Sequence, residues 1–124
     1  YNGDGSFGWH TAVKGYFDEE FNAIEATNDG YVAVGSSCSS NRDLKAVGNR
    51  GGSDALVVTF SNGGSLKSIQ SYGGSRDDSF GGVCVLSDGQ IIACGSTYSD
   101  NGDLIGSKYL SNGSASMGMI ARFK

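Results

Sequence analysis

Two acidic corners, Asp18-Glu19-Glu20 and Asp77-Asp78, are the residues of this chain best suited by type to do chemistry. Paired carboxylates across a sugar ring serve as general acid and as base or nucleophile in glycoside hydrolysis. The same carboxylates at a turn accept backbone N–H bonds where a strand begins. Their recurrence at the same corner in both halves of the chain favours the turn, because a turn device must be repeated and an active site need not be. His10 is the single histidine. A Ser-His-Asp triad needs an oriented base beside an activated serine, and no G-x-S-x-G elbow occurs. His10 aligns with Ile69 at an apolar strand position, which predicts a partly buried structural imidazole.

Asp100-Asn101-Gly102-Asp103 arranges hard oxygen ligands around a glycine turn. With Ser99 it makes a candidate calcium site of Ser99, Asp100, Asn101 and Asp103; no other cofactor is expected. The equivalent Asn41-Arg42-Asp43 has a cation in place of the glycine, and no glutamate stands at EF-hand distance. Asx-turns are therefore the competing reading. Phe7, Trp9, Tyr98 and Tyr109 lie near predicted loops and offer a surface for a sugar or a protein. Trp9, Tyr98 and Tyr109 form the candidate ligand-binding set, with core or inter-sheet packing the competing role for Trp9. Cys38, Cys84 and Cys94 are an odd number and make no disulfide framework. Cys84 and Cys94 flank one hairpin at diagonal positions, roughly 7–8 Å apart and too far for a relaxed bridge. Buried free thiols are expected, since a zinc site wants a fourth ligand and closer spacing.

The elements that must position these groups are written twice. Phe21, Asp29-Gly30, Ala33, Gly35-Ser36, Ser39, Asn41, Asp43-Leu44 and Phe60 recur in order at Phe80, Asp88-Gly89, Ala93, Gly95-Ser96, Ser99, Asn101, Asp103-Leu104 and Phe123. A period of about 60 residues marks propellers, solenoids and arrays, whose single units cannot bury their own apolar faces. The units run over residues 1–59 and 60–124, together one domain or part of a larger propeller. The 21 glycines without any proline read as tight turns between short strands, not as disorder.

Each unit holds four predicted strands. They are Phe7–Val13, Glu20–Thr27, Tyr31–Ser37 and Asp54–Phe60, then Leu66–Tyr72, Ser79–Leu86, Gln90–Thr97 and Met117–Phe123. The turns at Asn28-Asp29-Gly30 and Ser87-Asp88-Gly89 carry the Asp-Gly signal of a hairpin. No sustained 3.6 period is present, so no helix longer than one turn is expected. Apolar residues on both strand faces predict an all-β fold of two four-stranded propeller-like blades. A closed eight-stranded β-sandwich is the alternative. The net charge of −4 argues against nucleic acid. No apolar run is long enough to span a membrane. A secretion signal is expected to have been removed or to lie upstream.

Ser87–Gly106 with Met119-Ile120-Ala121-Arg122-Phe123 resembles the tandem repeats of secreted and cell-surface bacterial β-propeller proteins. Gly51-Gly52-Ser53-Asp54-Ala55 and Tyr72-Gly73-Gly74-Ser75 are similar to other segments of those repeats. Departures are Lys14-Gly15-Tyr16 where Gly73-Gly74-Ser75 stands in the second unit, and Met117-Gly118 in place of Asp54-Ala55. The resemblance implies an extracellular or bacterial cell-surface binding or adhesion module without catalysis, recognising a glycan or a protein. A glycoside hydrolase using the acidic corners and a purely structural scaffold remain the alternatives. At the ends of the chain, Phe7–Val13 and Met117–Phe123 are each left as an unpaired edge. A head-to-tail homo-oligomer, or additional blades of a longer chain, would pair them.

Overall fold

The computed structural model describes residues 3–104 and 115–124. It contains β1 (Glu19–Thr27), β2 (Gly30–Ser37), β3 (Asp54–Ser61), β4 (Leu66–Tyr72), β5 (Asp78–Val85), β6 (Ile91–Thr97) and β7 (Met117–Phe123). Single 3-10 turns at Arg42–Leu44 and Gly102–Leu104 are the only helical pieces among the described residues. None is long and apolar enough to cross a membrane. Two antiparallel sheets result, ordered β1-β2-β3-β4 and β5-β6-β7. The fold is all-β, as the turn-rich composition predicts, and the sheets do not close on each other.

Turn chemistry sets the registers. Gly64 takes φ 81° in the Ser61–Gly64 turn, where its N–H donates to the Ser61 carbonyl and joins β3 to β4. Gly89 takes φ 83° in the β5–β6 hairpin, which puts Cys84 opposite Ile92 as the loop length predicts. In the first sheet the turn is tighter: Thr27 pairs with Gly30, leaving Asn28-Asp29 as the loop. Gly30 is therefore already in β2, and a Cβ there would overlap the Phe60 carbonyl.

Two expectations are corrected. Phe7–Val13 forms no strand, and the second sheet has three strands among the described residues, not four. A strand exists only through its ladder partner. The counterpart segment, Leu66–Tyr72, has β3 beside it, whereas among the described residues no ladder includes positions 8–13. The first sheet consequently takes its fourth strand from the second sequence unit and runs across the 59/60 boundary.

The sheets stack face to face, with β5 lying across β1, β2 and β3. Val32 and Val34 of β2 and Ala55 and Val57 of β3 meet Phe80 and Ala93, with Val83, Met119, Ala121 and Phe123 around them. Alternation sends Ala33, Leu56, Val58 and Phe60 to the opposite face, partly covered by Val13, Leu44 and Val47. A β-bulge recurs after Phe21 and after Phe80. At the first bulge, Asn22 Nδ2 donates to the Phe80 carbonyl (2.9 Å) and Ser79 Oγ (3.2 Å), clamping the sheets together. Among the described residues, no second layer packs on the outer face of the second sheet. Cys84 and Cys94 on it are exposed, as is Cys38, so the expected burial of the three thiols does not occur; all three are free.

Candidate functional site

Each acidic corner is the centre of a hydrogen-bonded pin. Between β4 and β5, four successive amides are held by side chains. Gly73 N–H donates to Asp103 (3.2 Å), Gly74 to Asp78 (2.9 Å), Ser75 to Asn101 (2.8 Å) and Arg76 to Ser99 Oγ (3.1 Å). Asp78 is fully buried and also accepts from Ser99 Oγ (2.8 Å) and Thr97 Oγ1. The first repeat does the same with different residues. Lys14 N–H donates to Asp43 (2.8 Å), Gly15 to Glu19 (2.9 Å) and Phe17 to Ser39 Oγ (2.9 Å), while Ser37 Oγ donates to Glu19 (3.1 Å). The fourth bond has no counterpart, and Asn41 Oδ1 is buried without a partner.

These bonds account for the recurrence of Ser39 and Asp43 as Ser99 and Asp103: they fasten the loop after one hairpin to the strand entry before it, whereas Asn101 does so in the second repeat alone. Asp77 accepts from Ser53 N–H (3.0 Å). Arg50 joins the second corner to β3 and β4, reaching Asp54 (2.7 Å), Ser71 Oγ (3.1 Å) and Asp103 (3.1 Å). The nearby Tyr72 hydroxyl has its pKa pushed up by burial and by the Asp103 charge, against the pull of Arg50.

Of the candidate calcium ligands, Ser99, Asn101 and Asp103 each accept a backbone amide, those of Arg76, Ser75 and Gly73 in turn, while Asp100 is exposed. Among the described residues, no three histidine, cysteine or carboxylate side chains gather around a common point. Melting curves in millimolar calcium and in excess chelator should superimpose; a rise in Tm with calcium would show native-state binding and refute this assignment.

At the same end of the sheets lies an aromatic surface that sequence reasoning missed. Tyr16 and Phe17 are each 68 % exposed in the loop before β1. The Arg42 guanidinium lies 4.6 Å from the Tyr16 ring centre. Arg42 itself sits at φ 51°, the left-handed region that its counterpart Gly102 occupies at 65°. The signal was present as two departures from the repeat, Tyr16 for Ser75 and Arg42 for Gly102. Cys38 and Tyr98 are equivalent and sit at this end, their N–H groups donating to Asp18 and Asp77 carbonyls (2.9 Å each).

Burial, and then the charges of Asp18, Asp77, Glu19 and Glu20, push the Cys38 thiol pKa up. Carboxylates of both repeats therefore act on this thiol. Alkylation of Cys38 should rise at higher pH than an unperturbed thiol, whose pKa is about 8.5. Peptide mass mapping after labelling across pH would check this, and a profile at or below the ordinary value would contradict it.

The candidate ligand set is split. Tyr98 is half-exposed at the corner end, Trp9 lies at the opposite end, and Tyr109 falls outside the described residues. Trp9 packs on Tyr31 (5.7 Å between rings) and over Gly64, where a Cβ would overlap the indole. His10 is exposed beside Phe7 (5.9 Å), not partly buried, because its segment has no strand position to occupy. Trp9 and Thr11 on one side, with Phe21, Ile24, Ala33 and Phe60 on the other, bound an apolar groove of about 290 Å³. No acidic corner residue lines it. Compared with known proteins, the chain matches no family model and no curated protein sequence.

Proposed function

We propose that the chain is a non-catalytic recognition module of β-propeller type, working outside the cell or on a bacterial surface. Its ligand, a glycan or a protein, is met by the aromatic end of the sheets. The observation that carries this reading is Arg42. A non-glycine residue at positive φ costs on the order of 1 kcal/mol, and such strain clusters at functional sites. Here it sets a guanidinium on Tyr16 beside exposed Phe17, where the second repeat keeps an unstrained glycine. Arginine and tyrosine are the side chains most often found as anchors of recognition surfaces.

Stacking on ring faces suits sugars, and the flat amphipathic patch suits a protein equally. The acidic corners support the non-catalytic reading, since their carboxylates hold backbone amides and hydroxyls at the loops. Arg42→Gly separates recognition from folding. It relieves strain and removes the stacked cation, so Tm should be unchanged or higher while binding falls at least tenfold. Labelled protein applied to a glycan array and to a panel of purified surface proteins provides the readout. Blank results on both, or full binding by the variant, would sink the reading.

The hydrolase alternative makes a different forecast. Turnover of aryl glycosides would have to be measurable and abolished in a folded Asp77→Asn variant.

A further inference from the structure

The interface between the two sheets is built from two sets of repeat positions, and each set has a second copy elsewhere on the same chain, in which Phe21, Ile24 and Ile120 are exposed while Ala33 and Phe60 are already buried with Val13. On the first sheet Val32, Val34 and Val57 are buried against the second. Their counterparts on the second sheet are Ile92, Cys94 and Ile120, on its outer face, with Ile120 76 % exposed, Cys94 exposed and Ile92 half-buried. On the second sheet Phe80, Val83, Ala93 and Phe123 receive the first. Their counterparts on the first sheet are Phe21, Ile24, Ala33 and Phe60, which bound the open groove.

The N-terminal segment completes the match. Its connection to β1 is pinned by Asp43, Glu19 and Ser39 as the β4–β5 connection is pinned by Asp103, Asp78 and Ser99. Phe7–Val13 therefore stands to the first sheet as β4 stands to the second. Val13 is buried in the cluster that holds Phe60, as Tyr72 lies 4.9 Å from Phe123. The groove is the space between this segment and β1, where the other three strands of a preceding sheet would lie. Among the described residues, the β5–β7 sheet has three strands and β7 lies at its edge.

We propose that this chain associates head to tail with a second copy of itself. The β5–β7 sheet of one copy seats in the groove of the next, and β7 pairs with Phe7–Val13, which becomes a strand on docking. The occupant is a second copy because the interface inside the chain already joins these same repeat positions. The contact is heterologous, so it propagates until a ring closes, at roughly two to four copies for a ring of four to eight sheets. One difference weakens the junction. Gly81 stands where Asn22 clamps the sheets within the chain, so association should depend on concentration. The surface used is separate from the aromatic end, and the inference does not rest on the function proposed there.

Two exposed isoleucines test it without threatening the fold. Ile120→Glu spoils the outer face and Ile24→Glu spoils the groove. Light scattering behind a sizing column should give an oligomer for the unaltered chain and a monomer for each variant. Mixing the two variants should restore one junction and give a one-to-one dimer, in which Ile24→Glu supplies the outer face and Ile120→Glu the groove. Circular dichroism of each variant checks that it is folded. An unaltered chain that stays monomeric at high concentration overturns the proposal. So does a symmetric dimer insensitive to either substitution, or a mixture that stays monomeric.

Discussion

Replacing Asp78 with alanine should destabilise the protein by about 3–5 kcal/mol, a large share of the roughly 5–15 kcal/mol that holds a small domain together. Its carboxylate is 1 % exposed and accepts from Gly74 N–H, Ser99 Oγ and Thr97 Oγ1. Removing it strands the Gly74 N–H and the Ser99 hydroxyl and leaves Thr97 Oγ1 only the longer bond to the Ser99 carbonyl (3.3 Å), and a stranded buried donor costs about 1–3 kcal/mol. The repeat supplies an internal control. Glu19 occupies the same position and accepts from Gly15 N–H and Ser37 Oγ, but it is only half-buried. Water can replace its bonds, so Glu19→Ala should cost about 1 kcal/mol. Urea unfolding of both variants with unchanged m-value checks the contrast. Equal losses would mean that burial does not govern the pin. A well-folded Asp78→Ala variant of native stability would return this carboxylate to the list of candidate catalysts.

Phe80→Ala should be comparably damaging, at about 3–5 kcal/mol, because it leaves a cavity between the sheets. Phe80 is 1 % exposed, packed edge-on to Phe123 (6.0 Å) and tilted against Tyr72 (6.4 Å). Its repeat counterpart Phe21 is 42 % exposed and touches Phe60 edge-on at 6.1 Å. Phe21→Ala in the monomer removes less buried surface, and about 1 kcal/mol is expected. The same residue at the same repeat position thus carries very different weight, and the difference measures what a second sheet adds. Near-UV circular dichroism should lose intensity in Phe80→Ala before global unfolding if the sheets separate first.

Much of the fold was legible because its signals are local. Glycine turns, Asp-Gly hairpins and runs such as Val32-Ala33-Val34 fixed seven strands to within about two residues of where they lie. Phe7–Val13 was not legible, since a strand's existence depends on a neighbour that the segment itself does not encode. The expected burial of Cys84 and Cys94 failed for a related reason: two-sided apolar patterning tells that a face wants cover, not that it has any. The pins were half-legible. Ser99, Asp100, Asn101 and Asp103 were singled out as one calcium-binding set, but spacing alone does not distinguish oxygens converging on a cation from oxygens aimed at successive amides. Arg42 and Tyr16 were visible only as departures from the repeat, and the stacking between them emerges from a backbone conformation that the sequence disguises.

Ser39 and Asp43, recurring as Ser99 and Asp103, are fastenings of the fold, as is Asn101. Native-state amide hydrogen exchange at Gly73, Gly74, Ser75 and Arg76 tests this most directly. These loop amides have side-chain acceptors and no ladder partners, so any protection they show must come from Asp103, Asp78, Asn101 and Ser99. The account predicts strong protection of all four, with Ser99→Ala releasing Arg76 first and leaving the first-repeat amides Gly15 and Phe17 protected. Exchange of the four amides at unstructured rates in the unaltered protein would contradict it.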